Sequence, residues 1–503
     1  MQLTNLVRKF YTHRIHTIER FADHAEDIQR GVLRRLVHAA ENTEYGRLYD
    51  FAGTRTYETF AQRVPLNDYE TIKDYVERMR HGESDVLWRG QVKWYAKSSG
   101  TTNDKSKFIP ITQQALKRIH YRGGTDTVVV YLHRHNRHSR MFSGKALILG
   151  GSHQSNFNLP ESLVGDLSAI LIENVSHFVE HFRVPCRETA LLSDFEQKRD
   201  RIAKEAVHEN VTNLSGVPSW MMSVLHRVLE ESGKERIDEV WPNLEVFFHG
   251  GVAFTPYREQ YRRLIQSAGM HYMETYNASE GFFGLQDDPA DPALLLMLDY
   301  DVFYEFIPLE DVGSERPRIL PIWQVEPGVN YAMVITTSCG LWRYQLGDTV
   351  RFTSVKPYKI VISGRTKSFI NAFGEELMVD NAEQGLRRAC EQTGAEVEEY
   401  TAAPVFMDAE GKCRHQWVVE FRKAPADVEQ FADALDQALQ SINSDYEAKR
   451  YKNLTLQRLE LIPARPGLFT DWLRSRGKLG GQHKVPRLSN HRDIIEQILT
   501  LNS

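Results

Sequence analysis

The most informative stretch of the sequence is Ser98-Ser99-Gly100-Thr101-Thr102-Asn103-Asp104-Lys105-Ser106-Lys107. It follows an aromatic, strand-like run at 92–96 and precedes a second apolar run that begins at Phe108. Hydroxyls, backbone N–H groups and ammonium groups in such a turn can surround one anion, which is the chemistry of a phosphate-binding loop. The Walker pattern G-x-x-x-x-G-K-[ST] does not occur in the chain. An ordinary polar loop is the alternative, because loops rich in Ser, Thr and Gly are common.

The length and composition predict a globular protein of more than one domain. The chain has 503 residues, of which 41% are hydrophobic and 26% are charged, and this length exceeds what one core usually organises. A net charge of −5 gives no general attraction to nucleic acid or to an anionic membrane. We therefore expect no nucleic-acid partner and no membrane partner. We also expect a monomer.

The cysteines and the N-terminus indicate a cytoplasmic protein. The four cysteines are far apart and form no C-x-x-C pair, so neither a zinc ribbon nor a disulfide framework is indicated. No apolar run is long enough to span a bilayer, and the first residues lack the apolar core of a signal peptide. Residues 3–40 show helical periodicity among basic residues; a helix packed on its own domain is expected, with a membrane-surface helix as the alternative.

The order of apolar runs predicts an α/β fold. Runs at 145–151 and 244–251 end in glycine, and a helix is expected at 255–268. Strands at 294–309 and 331–344 predict a β-rich subdomain, followed by a turn at 344–348 and strands at 349–354 and 358–363. We expect a large N-terminal domain of layered sheets and helices at 1–365. A small, mobile α+β domain, with helices at 381–393 and 427–443 and a strand at 455–462, is expected at 366–503.

A basic run at 133–140 contains three histidines and three arginines. Three histidines this close could bind a metal ion, yet no carboxylate or cysteine accompanies them and the arginines oppose a cation. We interpret the run as an exposed basic loop.

The stretch Thr275-Tyr276-Asn277-Ala278-Ser279-Glu280 offers an aromatic face, hydroxyls and a carboxylate after a predicted strand at 271–276. A purine could stack on Tyr276, and Glu280 could hold Mg²⁺, which prefers carboxylate and phosphate oxygens. The alternative is a buried tyrosine followed by a helix-capping Ser-x-Glu.

Three charged residues near the predicted domain boundary and the C-terminus are further candidates. Asp348 could accept hydrogen bonds from both hydroxyls of a ribose, although a turn aspartate is the commoner role. Arg365 could contact ribose or phosphate, or form a surface ion pair. Lys484, in the glycine-led stretch 477–487, could complete a phosphate site when a mobile domain closes; a disordered basic tail is the alternative.

Taken together and in this order, these stretches resemble the adenylate-forming superfamily of acyl-CoA synthetases, adenylation domains and firefly luciferase. The 98–107 stretch is similar to its phosphate loop, Tyr276 to Glu280 to its Y-G-x-T-E element, and Tyr344 to Asp348 to its Y-R-T-G-D element. Gly364 to Glu383 is similar to its hinge segment, and His483 to Arg487 to its closing G-K-[IV]-x-R, with Lys484 as the lysine.

A narrower resemblance is to the Gretchen-Hagen auxin-responsive family of acyl acid amido synthetases. It rests on the paired serines at 98–99, on Asn277 to Gly284, on Asn443 to Tyr446 with Arg450, and on the segment from Ser475 to Arg487. The family implies that ATP and a carboxylic acid give an acyl-adenylate and pyrophosphate, after which an amino acid forms the amide and AMP leaves. It implies Mg²⁺ on Glu280 and catalytic roles for Lys484 and Glu280. The implied nucleotide-binding set is Ser98, Ser99, Gly100, Thr101, Thr102, Lys107, Gly251, Thr275, Tyr276, Ala278, Ser279, Asp348 and Arg365.

The chain departs from the superfamily pattern at several positions. Lys367 stands where the hinge aspartate is usual, and Glu376 where an arginine is usual. Gln345 follows Tyr344 where an arginine is usual, so the expected cation either comes from Arg343 or is missing. An acyl-CoA ligase and a non-catalytic nucleotide-binding relative are the alternative functions. The acid is not identified; pocket walls are expected from 150–180 and 250–285, whose aromatic residues either face the acid or pack in the core.

Overall fold

In the computed structural model, the described residues are 3–98, 107–155, 162–251, 254, 257–366, 369–370, 377–405, 413–443, 446–447, 450, 456–476, 484–489 and 491–502. The chain forms two compact units. The first contains Met1–Val329, Met333–Leu346 and Arg351–Val361. The second contains Asn330–Ala332, Gly347–Val350 and Ile362–Ser503.

Helices begin the first unit. The segment before the polar stretch contains α1 (Leu3–Phe10), α2 (Thr12–Glu19), α3 (Phe21–Ala40), α4 (Glu44–Leu48), α5 (Tyr57–Arg63) and α6 (Tyr69–Arg80). The helical prediction for 3–40 is therefore confirmed. Asp68 and Thr71 form a reciprocal capping box that starts α6, and the gap between α5 and α6 contains Pro65, which cannot donate a backbone hydrogen bond.

Later helices of the first unit lie between its strands. They are α7 (Gln113–Ala115), α8 (Tyr121–Val130), α9 (Leu167–Asn174), α10 (His177–Glu180), α11 (Arg187–Ala190), α12 (Phe195–Ala206), α13 (Pro218–Ser232), α14 (Ile237–Val240) and α15 (Arg258–Leu264). Two π-helical turns, Leu116–His120 and Tyr131–His135, flank α8. The helix expected at 255–268 is shorter than predicted, since α15 ends at Leu264.

Two sheets contain the strands up to Arg365. The strands are β1 (Trp94–Ser98), β2 (Lys107–Ile111), β3 (Lys145–Ile148), β4 (His153–Ser155), β5 (Leu163–Gly165), β6 (Arg183–Val184), β7 (Val211–Gly216), β8 (Val246–Gly250), β9 (His271–Ala278), β10 (Gly281–Gln286), β11 (Leu294–Leu296), β12 (Val302–Pro308), β13 (Leu320–Pro321), β14 (Asn330–Thr337), β15 (Leu341–Val355) and β16 (Tyr358–Arg365). The large sheet has the order β13-β12-β14-β15-β16-β11-β10-β9-β8-β7-β3-β6, and the small one β2-β1-β5-β4. The predicted α/β class is confirmed.

The large sheet is parallel at one end. Strands β6, β3, β7, β8 and β9 pair in parallel, and β9 then pairs antiparallel with β10. The carboxyl ends of the parallel strands consequently lie at one edge, where ligands collect in sheets of this kind.

The turn predicted at 344–348 is wrong. β15 runs without interruption through these residues, from Leu341 to Val355. Positive φ angles at Arg343 (43°) and Gly347 (88°) bend the strand without ending it, and Asn67 exchanges backbone hydrogen bonds with Arg343 and Gln345. Pairing with neighbouring chain therefore keeps the segment extended, whereas its glycine and aspartate are typical of turns.

The interpretation of 133–140 as an exposed loop is wrong for its first half. His133 and His135 belong to the π-helical turn that follows α8, and both are half-buried. His135 Nε2 lies 3.0 Å from the carbonyl oxygen of Gln286, and Arg134 forms an ion pair with Asp287. Only the second half of the run, including Arg137 and His138, is largely exposed.

The second unit is a small α+β assembly. It contains β17 (Phe369–Ile370), β18 (Leu377–Met378), α16 (Val379–Thr393), β19 (Glu396–Val405), β20 (Arg414–Lys423), α17 (Val428–Ile442) and β21 (Glu460–Ala464), with further helices at Leu468–Ser475 and Asp493–Asn502. The sheet order is β19-β20-β21. Helices α16 and α17 match the predicted helices within two residues, whereas the predicted strand at 455–462 begins later, at Glu460.

Close packing joins α16 to α17. A Cβ at Gly385 of α16 would lie 2.8 Å from the Leu439 side chain of α17, so the absence of a side chain lets the two helices approach. Tyr400 stacks on Trp417 with ring centroids 5.6 Å apart, and both belong to the buried cluster under these helices. Among the described residues of the whole chain, no helix combines the length and apolarity that crossing a membrane requires.

Candidate active site

Glycine turns follow the parallel strands at their carboxyl edge. β3 leads into Gly150 and Gly151, and β8 ends at Gly250 and leads into Gly251. A Cβ at Gly250 would lie 2.9 Å from Thr275 Oγ1, and Gly251 has a φ of 83°, so both positions require glycine. Thr275 Oγ1 donates a hydrogen bond of 3.1 Å to the carbonyl of His249. These contacts place the predicted residues Gly251 and Thr275 on neighbouring strand ends.

Glu280 lies in the turn that joins β9 to β10. Ser279 and Glu280 are both buried there, at 5% and 7% exposure. The helix-capping alternative for this pair is wrong, because the residues that follow form a strand. Burial, together with the negative charge of Glu280, raises the pKa of the nearby Cys339 thiol to about 12. A buried carboxylate therefore lies at the sheet edge where the sequence predicts one.

Tyr276 is buried inside the first unit. Its exposure is 5%, its hydroxyl lies 3.5 Å from the sulfur of Met333, and its ring centroid is 4.9 Å from that of Phe283. The alternative of a buried tyrosine thus describes its surroundings. Ala278 is half-buried at the end of β9.

Lys198 is a site-edge residue that the sequence reasoning missed. It projects from α12, and its ammonium donates to the carbonyls of Gly150 (2.9 Å) and Gly151 (3.0 Å). Burial lowers the pKa of Lys198 to about 8, and the carboxylate of Asp166 acts in the opposite direction. Lys198 therefore holds the glycine turn after β3. The sequence contains a signal for this position: Lys198 precedes the buried Ile202 and Ala206 at intervals of four residues, which places it on the inward face of α12.

Asp348 and Arg365 meet in the second unit. Arg365 Nε lies 2.9 Å from Asp348 Oδ1, with the arginine 43% and the aspartate 15% exposed. The backbone N–H of Thr366 donates to the carbonyl of Gly347 across 2.8 Å. The two sequence-predicted residues are thus brought together by backbone pairing between the residues that adjoin them.

Lys484 lies beside this pair. The residue is exposed, although nearby protein atoms remove part of the hydration of its ammonium group. Desolvation and the positive charge of Arg365 lower the pKa of Lys484 to about 8, while the carboxylates of Asp348 and Glu399 act in the opposite direction. Three residues that are far apart in the sequence therefore share one electrostatic environment.

The segment 484–489 is fixed to the sheet of the second unit. Ala402 N–H donates to the carbonyl of Arg487 (2.8 Å), and Thr401 Oγ1 donates to that of Pro486 (2.6 Å). Arg487 pairs with Glu399 at 2.9 Å, and its guanidinium lies 4.6 Å from the centroid of the Tyr400 ring. The alternative of a disordered basic tail is therefore wrong for these residues.

Part of the predicted phosphate loop lies outside the described residues. This applies to Ser99, Gly100, Thr101 and Thr102, and also to Lys367, Glu376 and Lys478. The two flanking residues are described: Ser98 ends β1 and pairs with Lys107, which begins β2. The strand-like run expected before the stretch is thus confirmed as β1, and a second strand, β2, follows the stretch.

The aromatic residues expected near the acid are buried. Phe254, Phe282 and Phe283 are 2%, 6% and 0% exposed, and Phe254 stacks on His249 with centroids 4.0 Å apart. Core packing, the second of the two alternatives, describes these three side chains. Phe157 and the side chain of Phe178 lie outside the described part.

Arg343, the candidate for the expected cation, is buried in the first unit. It is 4% exposed, its Nη2 and Nε lie 2.8 and 2.9 Å from the carboxylate of Glu305, and its Nη1 donates to the carbonyls of Ala61 and Val64. A guanidinium held by these contacts is committed to the core of the first unit.

Comparison with solved structures shows a known fold. The chain superposes on GH3.15 acyl acid amido synthetase with a TM-score of 0.76 at 18% identity, covering 97% of this chain and 96% of that one. It also superposes on a 2-hydroxyisobutyryl-CoA ligase in complex with 2-HIB-AMP, with a TM-score of 0.59 at 14% identity over 94% and 91% of the two chains. The chain therefore has the fold of these two enzymes.

Sequence comparison identifies the family. Residues 14–270 match the GH3 family N-terminal domain, 295–365 its central domain and 380–493 its C-terminal domain. The indole-3-acetic acid-amido synthetase GH3.3 of Arabidopsis thaliana is 23% identical, over 95% of this chain and 92% of its own length. The chain belongs to the GH3 family, and the resemblance found in its motifs is confirmed.

Proposed function

We propose that this chain is an ATP-dependent acyl acid amido synthetase. The observation that carries the proposal is the match to all three GH3 family domains. The enzyme joins a carboxylic acid to the amine of an amino acid in two steps. In the first, the carboxylate attacks the α-phosphate of ATP, and the bond to pyrophosphate breaks. In the second, the amine attacks the acyl carbon, the bond to AMP breaks and the amine loses a proton.

The first step is needed because a carboxylate has no good leaving group. Adenylation supplies AMP as the leaving group, and the enzyme must offset the charge that develops on the α-phosphate and on pyrophosphate. In this proposal the ammonium of Lys484 and the polar groups of 98–102 and Lys107 offset that charge. Asp348 accepts from the ribose hydroxyls, with Arg365 holding its carboxylate at 2.9 Å.

Gly251, Thr275, Tyr276, Ala278 and Ser279 are proposed to form the nucleotide side of the site. Their place at the carboxyl edge of the parallel strands supports this, because nucleotides bind at such edges. Gly250 pairs with Thr275 in the β8–β9 ladder, and this pairing keeps the two strand ends together.

Glu280 is proposed to hold Mg²⁺. A single buried carboxylate fits this ion, which is usually held by one or two carboxylates together with substrate phosphates. Among the described residues no group of three or more His, Cys, Asp or Glu side chains is arranged to hold a metal ion. When bound, Mg²⁺ would supply charge neutralisation at the phosphates.

We keep three further predictions from the sequence as proposals. Residues 1–365 and 366–503 act as two domains, and the second moves as a lid. Limited proteolysis between 360 and 380 should then change on addition of ATP, and an unchanged pattern would oppose a lid.

A cytoplasmic location and a monomeric state complete the proposal. Light scattering tests the monomeric state.

A pyrophosphate-release assay tests the proposed function. A panel of carboxylic acids is supplied with ATP and Mg²⁺, alone, with a mixture of amino acids, or with coenzyme A. Release that depends on an acid, together with an amide product in the amino-acid arm, is the expected result. A thioester product in the coenzyme A arm would show that the chain is an acyl-CoA ligase instead. The absence of pyrophosphate release with every acid would favour a non-catalytic nucleotide-binding relative.

A further inference from the structure

An open cavity of about 430 Å³ lies in the first unit, and its lining contains none of the predicted site residues. Its walls are basic: Arg35 and His38 come from α3, Arg89 from the segment before β1, and Lys117 and Arg118 from the π-helical turn after α7. Three separate segments of the chain thus contribute basic residues to the lining of one space, in a protein whose net charge is −5.

A buried carboxylate organises the cavity. Asp301 has no exposed surface, and it accepts a hydrogen bond of 2.6 Å from Gln114 Nε2. Arg118 Nε lies 3.2 Å and Arg35 Nη2 3.5 Å from the same carboxylate. Asp301 therefore fixes two guanidinium groups, each of which is 45% exposed and keeps donors available to solvent.

The cavity carries excess positive charge. Arg89 donates to Gln114 Oε1 at 3.2 Å, and within the described part of the chain neither Arg89 nor Lys117 has a carboxylate at ion-pair distance. Four permanent cations around one buried carboxylate leave an excess of three positive charges. Like charges held this close repel each other, so an anion in the cavity would lower the energy of the folded protein.

Along the chain, the cavity residues Arg89 and Lys117 adjoin one end of the β1–β2 ladder, and the predicted phosphate loop adjoins the other. Trp94 pairs with Ile111 at one end of the β1–β2 ladder, and Ser98 pairs with Lys107 at the other. Arg89 precedes the first end and Lys117 follows it, whereas the predicted loop connects the second. Four residues of strand place the two ends about 13 Å apart.

From this geometry we propose that the cavity binds a small anion bearing two or more phosphate groups. Guanidinium groups match phosphate oxygens, and donors that arrive from three segments suit a tetrahedral group better than a planar carboxylate with two oxygens. The volume lies within the range of small-molecule sites. The inference does not depend on the proposed amido synthetase activity.

Calorimetric titration with inorganic tripolyphosphate at low, constant ionic strength tests the proposal. The double variant Arg89→Gln/Lys117→Gln changes two exposed residues, so its fold and melting temperature should match the parent. We expect one tripolyphosphate-binding event to weaken at least tenfold in this variant. The matched control Arg55→Gln/Lys234→Gln removes the same charge from exposed positions elsewhere and should leave that event unchanged.

Two further arms separate the outcomes. Hydrogen exchange should slow in peptides covering 85–92 and 112–120 when tripolyphosphate is added to the parent and not to the double variant. Citrate should bind at least tenfold more weakly than tripolyphosphate; equal binding would overturn the assignment to phosphate. Identical titrations in parent and double variant, or protection only around 98–107, would overturn the site itself. The double variant should keep an ATP–pyrophosphate exchange rate within twofold of the parent. Weakened tripolyphosphate binding with unchanged exchange would show that the anion site is distinct from the adenylation site.

Discussion

Arg365 Nε lies 2.9 Å from Asp348 Oδ1, although 16 residues separate the two in the chain. The Thr366 N–H to Gly347 carbonyl bond of 2.8 Å fixes the backbones next to them. The aspartate therefore has a set orientation, with a guanidinium beside it, before any ligand arrives. Such preorganisation suits a carboxylate that accepts hydrogen bonds from a ribose.

Loss of either predicted carboxylate should stop adenylation without unfolding the protein. Asp348→Ala and Glu280→Ala each remove a charged contact worth roughly 2–4 kcal/mol in the ground or transition state. ATP–pyrophosphate exchange measures the loss, and circular dichroism checks the fold. Glu310→Ala, at an exposed ion pair in the first unit, is the control. Near-parental exchange in both variants would show that the nucleotide site is elsewhere.

Lys484 should be the lysine on which the first half-reaction depends. Lys484→Ala should lower adenylation by about 3 kcal/mol, the cost of losing one preorganised charged donor. Amide formation from a supplied acyl-adenylate should fall less, because pyrophosphate does not leave in that step. Lys478→Ala is the comparison, since that lysine follows a glycine six residues earlier. Abolished adenylation in Lys478→Ala with a silent Lys484→Ala would reverse the assignment.

The sequence predicted the elements well where periodicity was strong. The helices α16 and α17 and the first three helices follow patterns of apolar spacing, and the glycine-ended runs at 145–151 and 244–251 became β3 and β8. The segment 344–348 was misread because its glycine and aspartate are typical turn residues. There the pairing with Asn67, which lies far away in the sequence, decides the conformation.

Contacts between distant segments could not be predicted from the sequence. The spacing along α12 indicates that Lys198 faces inward, but not that it holds the turn at Gly150. The burial of Arg343 against Glu305 depends on which face of β15 turns inward. A motif gives the kind of residue and its place in order. Burial and partners come only from the packing of the whole unit.

Gly123 should not tolerate alanine. A Cβ at this position in α8 would overlap the ring of Phe282 on β10, so Gly123→Ala should lower the free energy of unfolding by about 1–3 kcal/mol through overpacking. Gly124, the next residue, has no heavy atom within 4 Å of its Cβ position, so Gly124→Ala should stabilise the helix by up to about 1 kcal/mol. Chemical denaturation compares the two.

A compensating change tests the cause of the Gly123 effect. Phe282→Leu in the Gly123→Ala background removes the aromatic ring from the overlap and should restore part of the stability. If Gly123→Ala is as stable as the parent, or if Phe282→Leu adds no recovery, close approach of α8 and β10 is not the reason for the glycine.

Removal of Glu305 should leave the buried guanidinium of Arg343 without its carboxylate partner. Its carboxylate pairs with Arg343 at 2.8 Å, with side-chain exposures of 1% and 5%, and accepts a hydrogen bond from Tyr57. Glu305→Ala should therefore destabilise the protein by about 3–5 kcal/mol. Glu310→Ala, which breaks an exposed pair with Arg318, should cost no more than about 1 kcal/mol. Equal midpoints of denaturation for the two variants would contradict this reading of Arg343.

The pH dependence of adenylation should report the charge of Lys484. Desolvation and Arg365 lower the pKa of this lysine from 10.5 to about 8, so it is positively charged below pH 8 and increasingly neutral above it. If the charged form stabilises the phosphates, the adenylation rate should fall as the pH rises through about 8. Over the window from pH 8 to 10.5 the unfolded chain binds more protons at this residue, so its contribution to the free energy of unfolding rises with pH while the rate falls.

Two variants test whether the fall in adenylation rate above about pH 8 is due to Lys484. Lys484→Arg keeps a positive charge throughout the range, so its rate, although lower because the donor geometry differs, should show no decline near pH 8. Arg487→Gln removes a positive charge that lowers the pKa of Lys484, and it should move the decline to higher pH. A limb that is unchanged in both variants would belong to another group, and the role of the Lys484 ammonium in adenylation would then be wrong.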